Sequence, residues 1–232
     1  MEYTIHRVLS MIKTTEARID KELSDTQKIW VRVSKGQDDN INGVSIKDIK
    51  RDIQSHYDRV VALIDNYVKL KSALIRCNAG VRSNTEVYTT KVCEKSFTIS
   101  EIIELQNKVY GRTKKSGFKS KLLEKMKEDY AAAQRNFSVM QTKADDEIER
   151  YVNAVAVRKK DGDVDDSSKS LIDSTSKMLH EKKDPHLIDP LKIADKIISL
   201  ENELERFLLE ADSVLSVQNA LTTIEVDLNE IR

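Results

Sequence analysis

Eleven lysines and arginines lie between Arg76 and Lys125 against five glutamates, a surplus of six positive charges within fifty residues. Two polar junctions carry part of that surplus. One is Arg82-Ser83-Asn84-Thr85, and the other is Arg112-Thr113-Lys114-Lys115 inside GRTKKSG (111–117). Forked guanidinium groups and the free amides of helix N-termini both suit phosphate oxygens. A pocket for a small anionic, nucleotide-like ligand is therefore one expected use of these residues. The other is internal pairing, because residues 189–232 hold ten acids against four bases. Two further positions join the candidate set through a repeat. ALIRCNA (73–79) and VLSVQNA (214–220) both end in Asn-Ala, and each is expected to close a long amphipathic helix. Asn78 and Asn219 are read as helix C-terminal residues, where Asn tolerates a left-handed backbone, and as polar groups able to converge on one site. Of the aromatic residues, Tyr88 and Phe97 fall in a non-helical stretch and are candidates for stacking on a base. Tyr57, Tyr67 and Trp30 read as core. The ligand set is thus Asn78, Arg82, Ser83, Asn84, Thr85, Tyr88, Arg112, Lys114, Lys115 and Asn219.

Other motifs fail on chemistry. GRTKKSG places its second glycine one position late for a P-loop, no Gly-Lys-Ser/Thr follows, and helices flank it where a phosphate loop needs a preceding strand. DGDVDD (161–166) begins like a calcium loop, but Asp166 stands where glycine is needed and Ile172 where the bidentate glutamate belongs. His6, His56, His180 and His186 show no HExxH and are read as lacking metal-ligand spacing. Cys77 and Cys93 are sixteen residues apart, which suggests neither zinc nor a disulfide framework. No nucleophile–base pair can be assigned. The expectation is a protein without catalytic groups, metal or cofactor.

The elements that must position these residues follow from composition. Lys+Arg and Asp+Glu are both 39 in 232 residues, and charged residues make up 34%. A strongly basic nucleic-acid binder and an acidic disordered chain are both excluded at that balance. Only six glycines and two prolines are present, too few for the many turns of a β-rich or Rossmann-like fold. The expected fold is mainly α: long antiparallel amphipathic helices in a bundle or coiled-coil-like arrangement, with a short β-hairpin or extended arm near 82–98. No run reaches the length of a membrane span, and the first twenty residues lack the apolar centre of a signal peptide. A reduced, cytoplasmic setting is the default.

Along the chain, apolar spacing predicts a helix over about 5–23, then a strand or extended connector at IWVRV (29–33) and a polar loop at 34–43. Ser45 and Asp48 resemble a capping box opening a helix to about Cys77, and the pattern breaks at Asn78-Ala79-Gly80. Thr98-Ile99-Ser100-Glu101 is a full capping box for a helix through about Val109. A long helix is expected from Phe118 to Val157, a linker at 158–170 and a short helix at 171–182. The last helix starts near Asp189-Pro190 and ends near Gln218, followed by a strand-like tail. The whole is read as one elongated domain, 1–232.

SALIRCNAGVRSNTEV, SFTISEIIELQNK and the stretch from Asp189 to Leu228 together resemble an uncharacterised family of helical proteins encoded by phages of Gram-positive bacteria. The shared pattern is a helix ending in Ser/Cys-Asn-Ala, a strand pair, then an aromatic-Thr-Val/Ile-x-Glu-x-Ile helix start. Val92-Cys93-Glu94-Lys95 departs from it where a glycine turn is expected. The resemblance implies a phage origin, the host cytoplasm and no enzyme class. Two functions follow as expectations. One is a homo-oligomeric sponge that sequesters an anionic immune-signalling nucleotide in counter-defence. The other is a coiled-coil scaffold or adaptor in phage assembly or partner recruitment. Oligomerisation is common to both, because thin helical arrangements rarely bury their apolar stripes alone. Neither membrane nor nucleic acid is an expected partner.

Overall fold

A computed structural model describes residues 2–36, 39–83, 89–112, 116–155 and 166–221. The fold is mainly α with short antiparallel strand pairs. In chain order the elements are α1 (Ile5–Ser24), β1 (Arg32–Lys35), β2 (Asn40–Ile41), β3 (Val44–Ser45), α2 (Ile46–Ser83), β4 (Thr90–Val92), β5 (Lys95–Phe97) and α3 (Ile99–Glu104). There follow a π-helical turn (Leu105–Tyr110), α4 (Phe118–Val155), α5 (Asp166–Lys183), β6 (Pro185–Ile188) and α6 (Ile193–Leu221). The chain groups into two compact units, one of residues 1–25, 59–124 and 197–232, the other of 26–58 and 125–196.

The first unit holds an aliphatic core with few rings. Ile12, Ile19 and Leu23 of α1 are buried, as are Val60, Ile64 and Tyr67 of α2 and Leu204, Phe207 and Ala211 of α6. Their three- and four-residue spacing is the apolar stripe of an amphipathic helix. Helix α3 starts as its sequence dictates. Thr98 Oγ1 accepts the Glu101 amide (3.2 Å), and the Glu101 carboxylate accepts the Thr98 amide (2.7 Å).

The hairpin β4–β5 pairs Thr90 with Phe97 and Val92 with Lys95. Its turn consists of Cys93 (φ 48°) and Glu94 (φ 66°), the left-handed pair that a two-residue hairpin demands and that glycine or asparagine normally fills. The departure at Val92–Lys95 therefore leaves the hairpin intact.

In the second unit β1 pairs antiparallel with β6, Arg32 opposite Ile188 and Lys35 opposite Pro185. Trp30 is fully buried, stacks on His56 (centroids 4.3 Å apart) and meets Tyr57 edge-on at 6.0 Å. Its backbone amide donates to Asp129 Oδ2 at 3.0 Å.

Several expectations are corrected. Helix α2 does not break at Asn78-Ala79-Gly80 but continues to Ser83, and α6 continues to Leu221, so Asn78 and Asn219 are helical residues and close neither helix. A single helical glycine costs only about 1 kcal/mol relative to alanine, too little to end a 38-residue helix. The polar loop at 34–43 is part strand. Asn42-Gly43 (φ 50° and 81°) turns β2 back onto β3, the Asn-Gly signal of a tight hairpin.

Ser45 caps α2 through the Lys47 amide (3.2 Å). The helix expected through Val109 changes to π-helical geometry at Leu105. Helix α5 starts at Asp166, inside the expected linker. Asp189 and Pro190 precede α6, which begins at Ile193; both Asp189 oxygens accept the Ile193 amide (3.0 and 2.8 Å). The strand-like tail lies outside the described residues.

Candidate functional sites

The first candidate set falls in the first unit. Asn84, Thr85, Tyr88, Lys114 and Lys115 lie outside the described residues, as does Thr113. Arg82 and Ser83 are the last two residues of α2. Asn78 on α2 and Asn219 on α6 are exposed. Arg112 is exposed after Gly111, with Nη2 4.0 Å from Asp212 Oδ1.

The surrounding basic residues are matched by acids of the same unit. Arg76 Nε donates to Glu101 Oε1 (2.9 Å) and its Nη2 to the Ser96 carbonyl (3.0 Å). Lys71 meets Glu104 at 3.0 Å, Lys121 meets Asp20 at 2.8 Å, and Lys119 donates to Glu203. Helix α6 supplies much of the acidic side. Glu203 also accepts the Tyr110 hydroxyl (3.3 Å), Glu210 accepts the Cys93 amide (2.6 Å), and Asp212 accepts the amide of buried Gln106 (2.8 Å). The acidic stretch and the basic stretch thus pack together.

Titration reflects this matching. Burial alone pushes the Glu101 carboxyl up, but hydrogen bonds from Thr98, Ser72 and Arg76 outweigh it and leave the group below the ordinary carboxylate range. Glu104 behaves alike, with Tyr67 and Lys71 overcoming the cost of burial. The Tyr67 and Tyr110 hydroxyls are pushed up by burial and by the adjacent Glu104 and Glu203.

The glycines of GRTKKSG have a structural purpose. Gly111 (φ 76°) and Gly117 touch backbone to backbone. A Cβ on Gly117 would fall 2.4 Å from the Gly111 nitrogen, and one on Gly111 would fall 2.7 Å from the Gly117 nitrogen. Ser120 donates to the Tyr110 carbonyl across the same junction. The two ends of the basic segment 112–116 are therefore pinned at a neck at the N-terminus of α4.

Two features of the second unit were not anticipated. A shallow groove of about 340 Å³ runs between the β1 region and α4, lined by Ile29, Val31, Val33, Ala133 and Met140, with Asp129 and Asn136 among its polar residues. That volume is at the lower limit for small-molecule sites. Burial raises the Asp129 carboxyl, only partly offset by the Trp30 amide it accepts.

The second feature is a cluster of donor groups. Asp145 of α4, His180 of the last turn of α5 and Asp184 place one ligand atom each within 4.8 Å of one another. His180 Nδ1 lies 3.1 Å from Asp184 Oδ1, and Gln141 Nε2 donates to Asp145 (2.9 Å) and Asp184 (3.3 Å). His180 and Asp184 are four residues apart, one helical turn, so a carboxylate does stand at ligand spacing from a histidine. That half of the cluster was legible in the sequence. Asp145, from thirty-five residues upstream of His180, was not.

No protein-family model, curated protein or solved structure matches this chain.

Proposed function

We propose that the protein is a non-enzymatic helical scaffold or adaptor that works as a homo-oligomer, with the outward face of α6 as the contact between copies. The observation that carries this is the division of labour around α6. One side packs Leu204, Phe207 and Ala211 into the core, and Glu203, Glu210 and Asp212 tie down the neighbouring hairpin, π turn and loop. Away from that side stand Ile198 and Leu209, with 57% and 72% of their surface exposed. Ile198 and Leu209 are eleven residues apart, three turns, and so lie on one line opposite the buried stripe. Large aliphatic side chains in such a row gain from mutual burial at about 25 cal/mol per Å². In the phage setting that the resemblance implies, such an assembly would organise partners during particle construction.

The sponge reading is supported by the glycine neck, whose Gly111 precedes Arg112 and whose Gly117 precedes the amide-rich start of α4. The acid matching of Arg76, Lys119 and Lys121 weighs against it. One experiment addresses both readings: native mass spectrometry of the wild type and Leu209→Glu, with and without a mixture of cyclic nucleotides. An oligomer that collapses to monomer in Leu209→Glu and gains no ligand mass is the expected result. A monomeric wild type, or an oligomer indifferent to the substitution, overturns the scaffold contact. Discrete mass gain at fixed stoichiometry transfers the assignment to the sponge.

A further inference from the structure

We infer that Asp145, His180 and Asp184 form a binding site for a divalent transition-metal ion of the zinc class, and that the ion clamps α5 to α4. The site has the mixed donor set such ions prefer, one imidazole nitrogen and two carboxylates. Three protein ligands leave further positions for water. Ligand atoms about 2.0–2.1 Å from a tetrahedral ion stand about 3.3 Å apart, so closing the present spacing of up to 4.8 Å asks for side-chain movements of about 1.5 Å.

The electrostatics favour a cation. Among the described residues neither Asp145 nor Asp184 has a lysine or arginine within ion-pairing distance. Gln141 bridges the two carboxylates as a neutral donor, and nearby Lys183 is engaged by Glu147 and lies over the Tyr151 ring. His180 also stands at the C-terminal end of α5, where the unpaired carbonyls concentrate partial negative charge.

The framework is held in place before any ion arrives. The Asp184 amide donates to the His180 carbonyl (2.9 Å), and its own carbonyl accepts the Gly36 amide (2.9 Å). Gly36 is required there, since a Cβ would fall 1.6 Å from the Lys182 carbonyl oxygen. What lacks support is the rest of α5: none of its described side chains, 169–183, is buried. An ion shared between α4 and the end of α5 supplies an attachment that apolar packing does not.

The test is calorimetric titration of tag-free, chelator-treated protein with zinc sulfate, alongside His180→Ala and Asp145→Asn. Both substitutions are at accessible positions, and far-UV circular dichroism without metal checks their folding. One zinc per chain, weakened at least about tenfold in each variant, is the expected result. Hydrogen exchange on the wild type gives a readout that does not depend on variants: zinc should slow the amides of 176–184. Cobalt should give a d–d spectrum free of thiolate charge-transfer bands. Absence of zinc binding, wild-type affinity retained in both variants, unchanged exchange at 176–184 or a cysteine-dependent cobalt spectrum would each overturn the site.

Discussion

Glu101 shows how much one side chain can be asked to do. It is buried, closes the capping box of α3 and holds Arg76, which in turn holds the Ser96 carbonyl of β5. Its folded pKa is depressed, so its stabilisation is present above the unfolded glutamate value near 4.3 and is lost as pH falls through the lower folded value. Glu101→Gln should cost about 1–3 kcal/mol at neutral pH, since a buried charge-assisted network loses its acceptor. Urea midpoints of the two proteins should converge as pH falls below about 4. A constant gap across that range would contradict the assignment. Thr98-Ile99-Ser100-Glu101 announced this cap in the sequence because both halves are local. The partnership with Arg76 was not announced, because it spans twenty-five residues.

At the level of elements, hairpin β4–β5 is a strand pair with an unsuitable turn. Two non-glycine residues at positive φ cost about 1–3 kcal/mol each, and a neighbouring helix offsets that cost. Glu210 of α6 accepts the Cys93 amide, and Arg206 lies 3.6 Å from Glu94. The Glu94 side chain is 88% exposed and its ion pair is worth little, so Glu94→Gly should raise stability by about 0.5–1 kcal/mol, read from the thermal midpoint. Destabilisation would mean that the Arg206 contact matters more than backbone strain. Periodicity revealed the hairpin and the long helices, which need only neighbours in sequence. It misplaced the ends of α2 and α6, because a lone Asn-Ala or glycine does not stop a helix whose other residues propagate it. It also missed the π turn, where buried Gln106 reaches Asp212.

For the molecule as a whole, charge balance is the dominant fact. Equal counts of acids and bases and a sequence pI near 6.9 leave no net charge near neutral pH, and Lys119, Arg112 and Lys121 of the basic stretch each face an acid of their unit. Random-sequence duplex DNA at physiological salt should therefore show no gel shift even at about 100 μM protein, the weak end of the range of ordinary non-specific binders. A shift that weakens steeply with salt would reveal an unmatched basic face. No helix among the described residues is long and apolar enough to cross a membrane, in keeping with the charge spread along every segment. By itself, the sequence determined the helical class, most helix starts and the presence of opposed basic and acidic stretches. These depend on composition, on a 3.6-residue period and on caps formed within one turn. Only the tertiary structure decided that the two stretches meet, that β1 pairs with β6 some 150 residues away, and that Asp145 joins His180 and Asp184. Such contacts depend on which buried faces fit together, and one-dimensional spacing carries no record of that choice.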